Sequence, residues 1–155
     1  MQKKLNPQIP SYDSGLKFKK IQQSNVVQYI ALYQEIFWDV PNASFYSENH
    51  ICELMSRNNY EICFLYWNNT LIGFCEYQLY KNKAIIEAIG ILSEYRRKGY
   101  AKKILHNLYY VLFAENIEII ELTASTGNIA ALSLYKKEGF RKCKTLSYWY
   151  EVILP

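Results

Sequence analysis

Apolar positions along the chain change period several times, and each change marks a predicted element. Residues 1–15, with Pro7, Pro10, Ser14 and Gly15, read as a lead-in, after which Leu16, Phe18 and Ile21 interleave with lysines as in a strand. Ser24-Asn25 can cap a helix on which Val26, Ile30, Tyr33 and Phe37 recur at helical spacing, ending before Pro41. Ser47 can cap a second helix running to about Arg57, with Ile51, Leu54 and Met55 inward. Residues 61–67 and 71–80 are strand-like runs joined by Asn68-Asn69-Thr70, a tight hairpin by composition, and Lys81-Asn82-Lys83 leads into a third strand over 85–92.

Beyond Gly99 the apolar positions Ala101, Ile104, Leu105, Leu108 and Leu112 follow one helix face. Residues 117–122 form a short apolar strand, expected to pair parallel to 85–92 through a right-handed crossover. The turn Ser125-Thr126-Gly127-Asn128 opens another helix, stopped by Gly139 as a C′ glycine, and residues 140–154 are strand-like. The order β α α β β β α β α β predicts an α+β, mixed-sheet fold in one domain over 1–155.

Composition narrows the function. With 155 residues, half of them hydrophobic, the chain can bury a real core, and its net charge of +4 is scattered rather than gathered into a nucleic-acid stripe. Such a chain suits one polyanionic small molecule, with no nucleic acid as partner. Cys52, Cys63, Cys75 and Cys143 have no metal-ligand spacing, so no metal is expected. No signal peptide or membrane-spanning apolar run is seen, which makes the cytoplasm the expected setting and a membrane partner unexpected.

Chemistry concentrates between the third strand and the third helix. Arg96, Arg97 and Lys98 precede a helix start, where unpaired N–H groups already favour an anion, and Gly99 and Ala101 would let phosphates approach. The spacing fits neither a Walker A loop nor a dinucleotide fingerprint, so another diphosphate is implied. Asn128, Ala131 and Tyr135 fall on one face of the fourth helix, and a phenol with a reference pKa of about 10 is a reasonable acid for a thiolate leaving group. Strict alternation puts Glu87 on a strand face with Ile85, Ile89 and Ile91. Over 38–47, the aromatics of a turn-rich segment suit a binding wall or a hydrophobic staple equally, with Trp38, Asp39, Phe45 and Tyr46 the candidate acceptor contacts.

Two of these stretches, Ile91-Leu92-Ser93-Glu94-Tyr95-Arg96-Arg97-Lys98-Gly99-Tyr100-Ala101 and Asn128-x-x-Ala131-x-x-x-Tyr135-x-x-x-Gly139-Phe140, resemble motifs of the GCN5-related N-acetyltransferase superfamily. Ser93 stands where that family often has proline. The resemblance spans most of the chain and implies a mostly antiparallel twisted sheet flanked by about four helices, with one parallel pair splayed to hold acetyl-CoA. It further implies that the backbone of Ile89 and Ile91 binds the pantetheine arm and thioester, and that N–H groups of Arg96, Arg97, Lys98, Gly99, Tyr100 and Ala101 hold the pyrophosphate. Asn128 and Ala131 would complete the cofactor contacts, Tyr135 would protonate the departing thiolate, and Glu87 would accept the amine's proton or bind an ammonium group.

The implied activity is acetyl-CoA-dependent N-acetyl transfer to a primary amine by direct attack in a ternary complex. Aminoglycoside-like molecules, polyamines and amino acids are the expected acceptors. The turn and Glu87 are similar to aminoglycoside 6′-acetyltransferases, but Thr123-Ala124-Ser125-Thr126 replaces the acidic pair expected after the fifth strand. Acetylation of a peptide or protein, at its N-terminus or at lysine in the manner of the ribosomal-protein enzymes, stays open, as does a non-catalytic acyl-CoA-binding regulatory module. A homodimer through an edge strand or the apolar tail is also compatible.

Overall fold

The computed structural model describes residues 1–5, 11–40, 43 and 45–146. Its elements are β1 (Gln2–Lys4), β2 (Leu16–Lys20), α1 (Val26–Phe37), α2 (Glu48–Ser56), β3 (Tyr60–Trp67), β4 (Thr70–Tyr80), β5 (Lys83–Ile91), α3 (Tyr100–Ala114), β6 (Ile119–Leu122) and α4 (Ile129–Lys137), with short 3₁₀ turns at Gln23–Asn25 and Ser93–Tyr95. Six strands form one sheet in the order β1-β6-β5-β4-β3-β2, antiparallel except for the parallel β5–β6 pair. This is the α+β, mixed-sheet class read from the sequence, with four α-helices.

Each sheet face carries its own core. Leu65, Cys75, Ala84, Ile86 and Ile120 pack on one side against Ile104, Leu105, Leu108 and Leu112 of α3. Ile62, Phe64 and Phe74 pack on the other against α1 and α2, through Tyr29, Leu32, Ile36, Ile51 and Leu54. The α3 stripe is the one the periodicity predicts; on α1 the buried face is Val26, Tyr29, Leu32, Tyr33 and Ile36, leaving Ile30 and Phe37 at its edge. Asn68 and Asn69 both adopt positive φ (45° and 68°), the left-handed conformations that a tight β3–β4 hairpin requires and asparagine tolerates.

At its ends the chain departs from the pattern. Instead of a plain lead-in, Gln2–Lys4 pairs antiparallel with β6, and Gln2 also bridges Arg141. A polar three-residue strand has no periodicity to reveal it; pairing with a distant partner creates it. Residues 11–16 are pinned too: the fully buried Asn107 of α3 accepts from the Asp13 N–H (2.8 Å) and donates to the carbonyls of Asp13 (2.8 Å) and Leu16 (3.2 Å). Residues 142–146 form no strand, and the rest of the expected final strand lies outside the described residues. Among the described residues no helix is long and apolar enough to cross a membrane.

The β5–β6 pairing ends at Ile86 opposite Leu122, while β5 continues along β4 to Ile91. Beyond Ile86, therefore, β5 has one free edge, and the parallel pair opens there.

Candidate active site

A bulge shapes that free edge. Glu76 pairs with Ala88 and Tyr77 with Ile86, which leaves Glu87 as the extra residue of β5. The Leu92 N–H donates to the Ile72 carbonyl at 2.9 Å, so by alternation the main-chain groups of Ile91 and Ile89 point away from β4, toward the opening.

The bulge also corrects the strict alternation. Ile89 and Ile91 now join Ala84 and Ile86 on the α3 side, whereas Ala88 packs on the α1 side. Glu87, exposed, turns with Ala88: its carboxylate accepts from Gln78 Nε2 at 2.7 Å, and Gln78 Oε1 accepts from the Tyr80 hydroxyl at 2.7 Å. The carboxylate and the two isoleucine side chains thus lie on opposite faces.

Past Ile91 the 3₁₀ turn brings the chain into a concave run of N–H groups. Arg97 (φ 60°) and Gly99 (φ 85°) are both left-handed, and the first bond of α3 runs from the Lys103 N–H to the Gly99 carbonyl. Among the described residues the N–H groups of 97–102 have no hydrogen-bond partner. Alternating left- and right-handed conformations at a helix start form an anion-binding nest. A Cβ on Gly99 would meet nothing within 4 Å, so glycine is required there by its φ, and the space above it is open. Arg97 and Lys98 lie exposed beside it. Tyr100 turns its ring inward, edge-on to Trp67 and Tyr95, and Ala101 is half-buried.

Arg96 is engaged otherwise. Its N–H donates to Ser93 (3.2 Å), its Nε to the Ile91 carbonyl (2.9 Å) and a terminal nitrogen to the Ile36 carbonyl of α1 (2.8 Å). It is a strut joining the turn, the end of β5 and the end of α1, rather than a free cation.

On α4, Asn128 is the N-cap: its Oδ1 accepts from the Ala131 N–H at 3.1 Å, which also occupies that N–H. The Tyr135 ring packs edge-on to Phe140 at 5.6 Å, in the core that also contains Ile89 and Ile91. Burial pushes the Tyr135 phenol above its ordinary pKa, and among the described residues its hydroxyl has no hydrogen-bond partner.

The acceptor candidates separate. Trp38, following α1, and Phe45 are 82% and 90% exposed, and Asp39 is exposed. Tyr46 packs inward, stacked on His50 (5.3 Å, 12°) and tilted against Tyr33 (4.7 Å), while Ser47 caps α2. His106, on the polar side of α3, pairs with Glu138 at 2.8 Å and so ties α3 to the end of α4.

One polar group is not apparent from motifs. Glu76 of β4 is 0% exposed and accepts hydrogen bonds from the Tyr29 hydroxyl of α1 and the Tyr60 hydroxyl of β3 (2.5 Å), with the Tyr46 phenol also directed to it. Desolvation raises its pKa despite these donors. Its sequence signal is one acid inside the apolar run 71–80, in a tyrosine-rich chain.

An anion nest at the end of an opened parallel strand, with a half-buried phenol on the adjoining core, defines an acyl-CoA-dependent transferase. The chain belongs to the acetyltransferase (GNAT) family, whose model matches residues 26–140. Among curated relatives, it is 36% identical over 69 residues to an N-alpha-acetyltransferase of Saccharolobus solfataricus, covering 44% of this chain and 41% of that protein. It is 27% identical over 117 residues to a spermidine N(1)-acetyltransferase of Thermoplasma acidophilum, covering 73% of each. Its fold matches that of the PaiA N-acetyltransferase of Thermoplasma acidophilum in complex with coenzyme A (TM-score 0.70, 21% identity, 84% and 92% of the two chains). It also matches that of the aminoglycoside acetyltransferase meta-AAC0020, from an uncultured soil metagenomic sample, in complex with sisomicin (TM-score 0.69, 17% identity, 92% and 99%).

Proposed function

We propose that this protein transfers an acetyl group from acetyl-CoA to a primary amine of a small cationic molecule, with a polyamine the first candidate. Acetyl-CoA supplies the activated acetyl group as a thioester. The observation that carries the reading is the unpaired run of N–H groups at 97–102, which fits a pyrophosphate, beside the free main-chain edge of Ile89 and Ile91.

In this reading the nest and the flanking Arg97 and Lys98 hold the diphosphate, and the edge of β5 aligns the pantetheine arm. The oxyanion formed by amine attack leans on a main-chain N–H near Ile91. Tyr135, kept protonated by burial, gives its proton to the departing sulfur. Glu87 draws the ammonium form of the acceptor and takes its proton through water. Trp38, Asp39, Phe45 and Tyr46 contact the acceptor, whose cationic class is supported by Glu87 and the aromatic side chains near it and by similarity to the spermidine enzyme. Use of acetyl-CoA fits a cytoplasmic setting.

Calorimetry with acetyl-CoA tests the first step: absence of binding sinks the reading. A screen of polyamines, aminoglycosides, amino acids and short peptides, read by free CoA release, is expected to favour polyamines. The 36% identity to the N-alpha-acetyltransferase favours a second reading, N-terminal acetylation of a peptide, which a preference for peptides would establish in its place. Acetyl-CoA binding without transfer to any of these amines would point to a regulatory module. Size-exclusion chromatography with light scattering tests a homodimer.

A further inference from the structure

Glu76 takes no part in the proposed chemistry, yet its burial is costly. A carboxylate removed from water loses several kcal/mol of hydration unless its surroundings replace the lost hydrogen bonds. Among the described residues no cation pairs with it, and the replacement comes from tyrosines on separate pieces of chain: Tyr29 from α1 on one oxygen, Tyr60 from β3 on the other, and Tyr46 from the segment before α2.

The arrangement has a direction. Glu76 lies opposite Ala88, beside the bulge that carries Glu87, so both carboxylates sit on the α1 side of the sheet. Glu87 is exposed and Glu76 wholly buried, and the phenols of Tyr46 and Tyr60 feel the charge of both. A phenol that donates to a carboxylate becomes a better acceptor at its own oxygen, because hydrogen bonds in a low dielectric polarise one another. Tyr46 also stacks on the His50 ring, so fixing its hydroxyl fixes a two-ring face next to Glu87.

We propose that Glu76 is a positioning residue of the acceptor site: acting through Tyr46, its carboxylate holds the Tyr46 and His50 rings and an electron-rich phenol oxygen beside Glu87, forming a wall for an alkylammonium group. This rests on the amine-acetylating reading and deepens it, since the wall selects an acceptor with a cationic alkyl chain. An uncharged amine would gain little from it.

The test compares wild type, Glu76→Gln, Tyr46→Phe and the double variant, with spermidine as acceptor, CoA release as readout and acetyl-CoA binding by calorimetry. Glu76→Gln is expected to raise the KM for spermidine about tenfold, the effect of one hydrogen bond to a charged group, with kcat and the acetyl-CoA Kd each within about threefold. The double variant should then be no worse than Tyr46→Phe. Losses that multiply, or a fall in kcat together with weaker acetyl-CoA binding, overturn the proposal and make Glu76 a scaffold residue. If Glu76→Gln does not fold, Tyr60→Phe replaces it, with a smaller effect of the same kind expected.

A second measurement needs no acceptor. With tyrosines labelled at Cζ, the carbon resonance of Tyr46 should titrate at lower pH in Glu76→Gln than in wild type, and an unchanged titration overturns the proposal. If wild type does not acetylate spermidine, the polyamine reading fails, and the Tyr46 titration alone decides the role of Glu76.

Discussion

At the scale of residues, burial sets the chemistry of the two central ionisable groups. Tyr135 has its pKa raised by desolvation, so its phenol stays protonated beyond the ordinary tyrosine value of about 10. As the acid of the proposed reaction it would not limit the rate at neutral pH. Tyr135→Phe should lower kcat on the order of 100-fold and leave the acetyl-CoA Kd unchanged, measured by CoA release and calorimetry. Glu76 gives a prediction about stability. Its folded pKa is raised, so the stability it confers is fully present below the unfolded value, about 4.3, and is lost as pH rises through the folded pKa. Thermal unfolding from pH 4 to 8 should therefore show wild type losing ground to Glu76→Gln as pH increases. A constant difference between the two would refute a raised pKa.

At the scale of elements, the turn between β5 and α3 performs two separable tasks. Gly99 gives the nest its curvature, and Arg96 ties the turn to β5 and α1. Gly99→Ala forces an L residue into φ 85°, at a cost of about 1–2 kcal/mol, and should weaken acetyl-CoA binding in proportion to the lost nest geometry. Arg96→Ala removes two hydrogen bonds to main-chain carbonyls, an effect of about 1–2 kcal/mol on unfolding, with a smaller change in acetyl-CoA binding than Gly99→Ala gives. Denaturant titration and calorimetry on both variants distinguish strut from nest. If Arg96→Ala abolished binding while Gly99→Ala did not, this division of tasks would be wrong.

At the scale of the whole molecule, two thin connections hold the N-terminal part of the chain to the body. β1 closes the sheet beside β6, and Asn107 clasps residues 13–16 from within α3. Asn107→Ala leaves buried main-chain groups unpaired and should destabilise the fold by about 2–3 kcal/mol without changing the nest. A melting temperature within error of wild type would show that water replaces the clasp.

What the sequence determined by itself is local. Helical periodicity placed α3, paired asparagines placed the β3–β4 turn, and Arg96 to Ala101 followed by Asn128 to Tyr135 marked the diphosphate turn and the acid, because turn propensity, charge and spacing act between near neighbours. What only the tertiary structure decided depends on distant strands meeting. A bulge is a difference in length between paired strands, so the turning of Glu87 away from Ile89 and Ile91 cannot be read from β5 alone. The same holds for β1, which exists through its pairing with β6, for Arg96, whose partners include an α1 carbonyl 60 positions away, and for Glu76, whose tyrosines lie 47 and 16 positions off. A buried carboxylate becomes tolerable only once its donors have converged, and that convergence is a property of the packed chain.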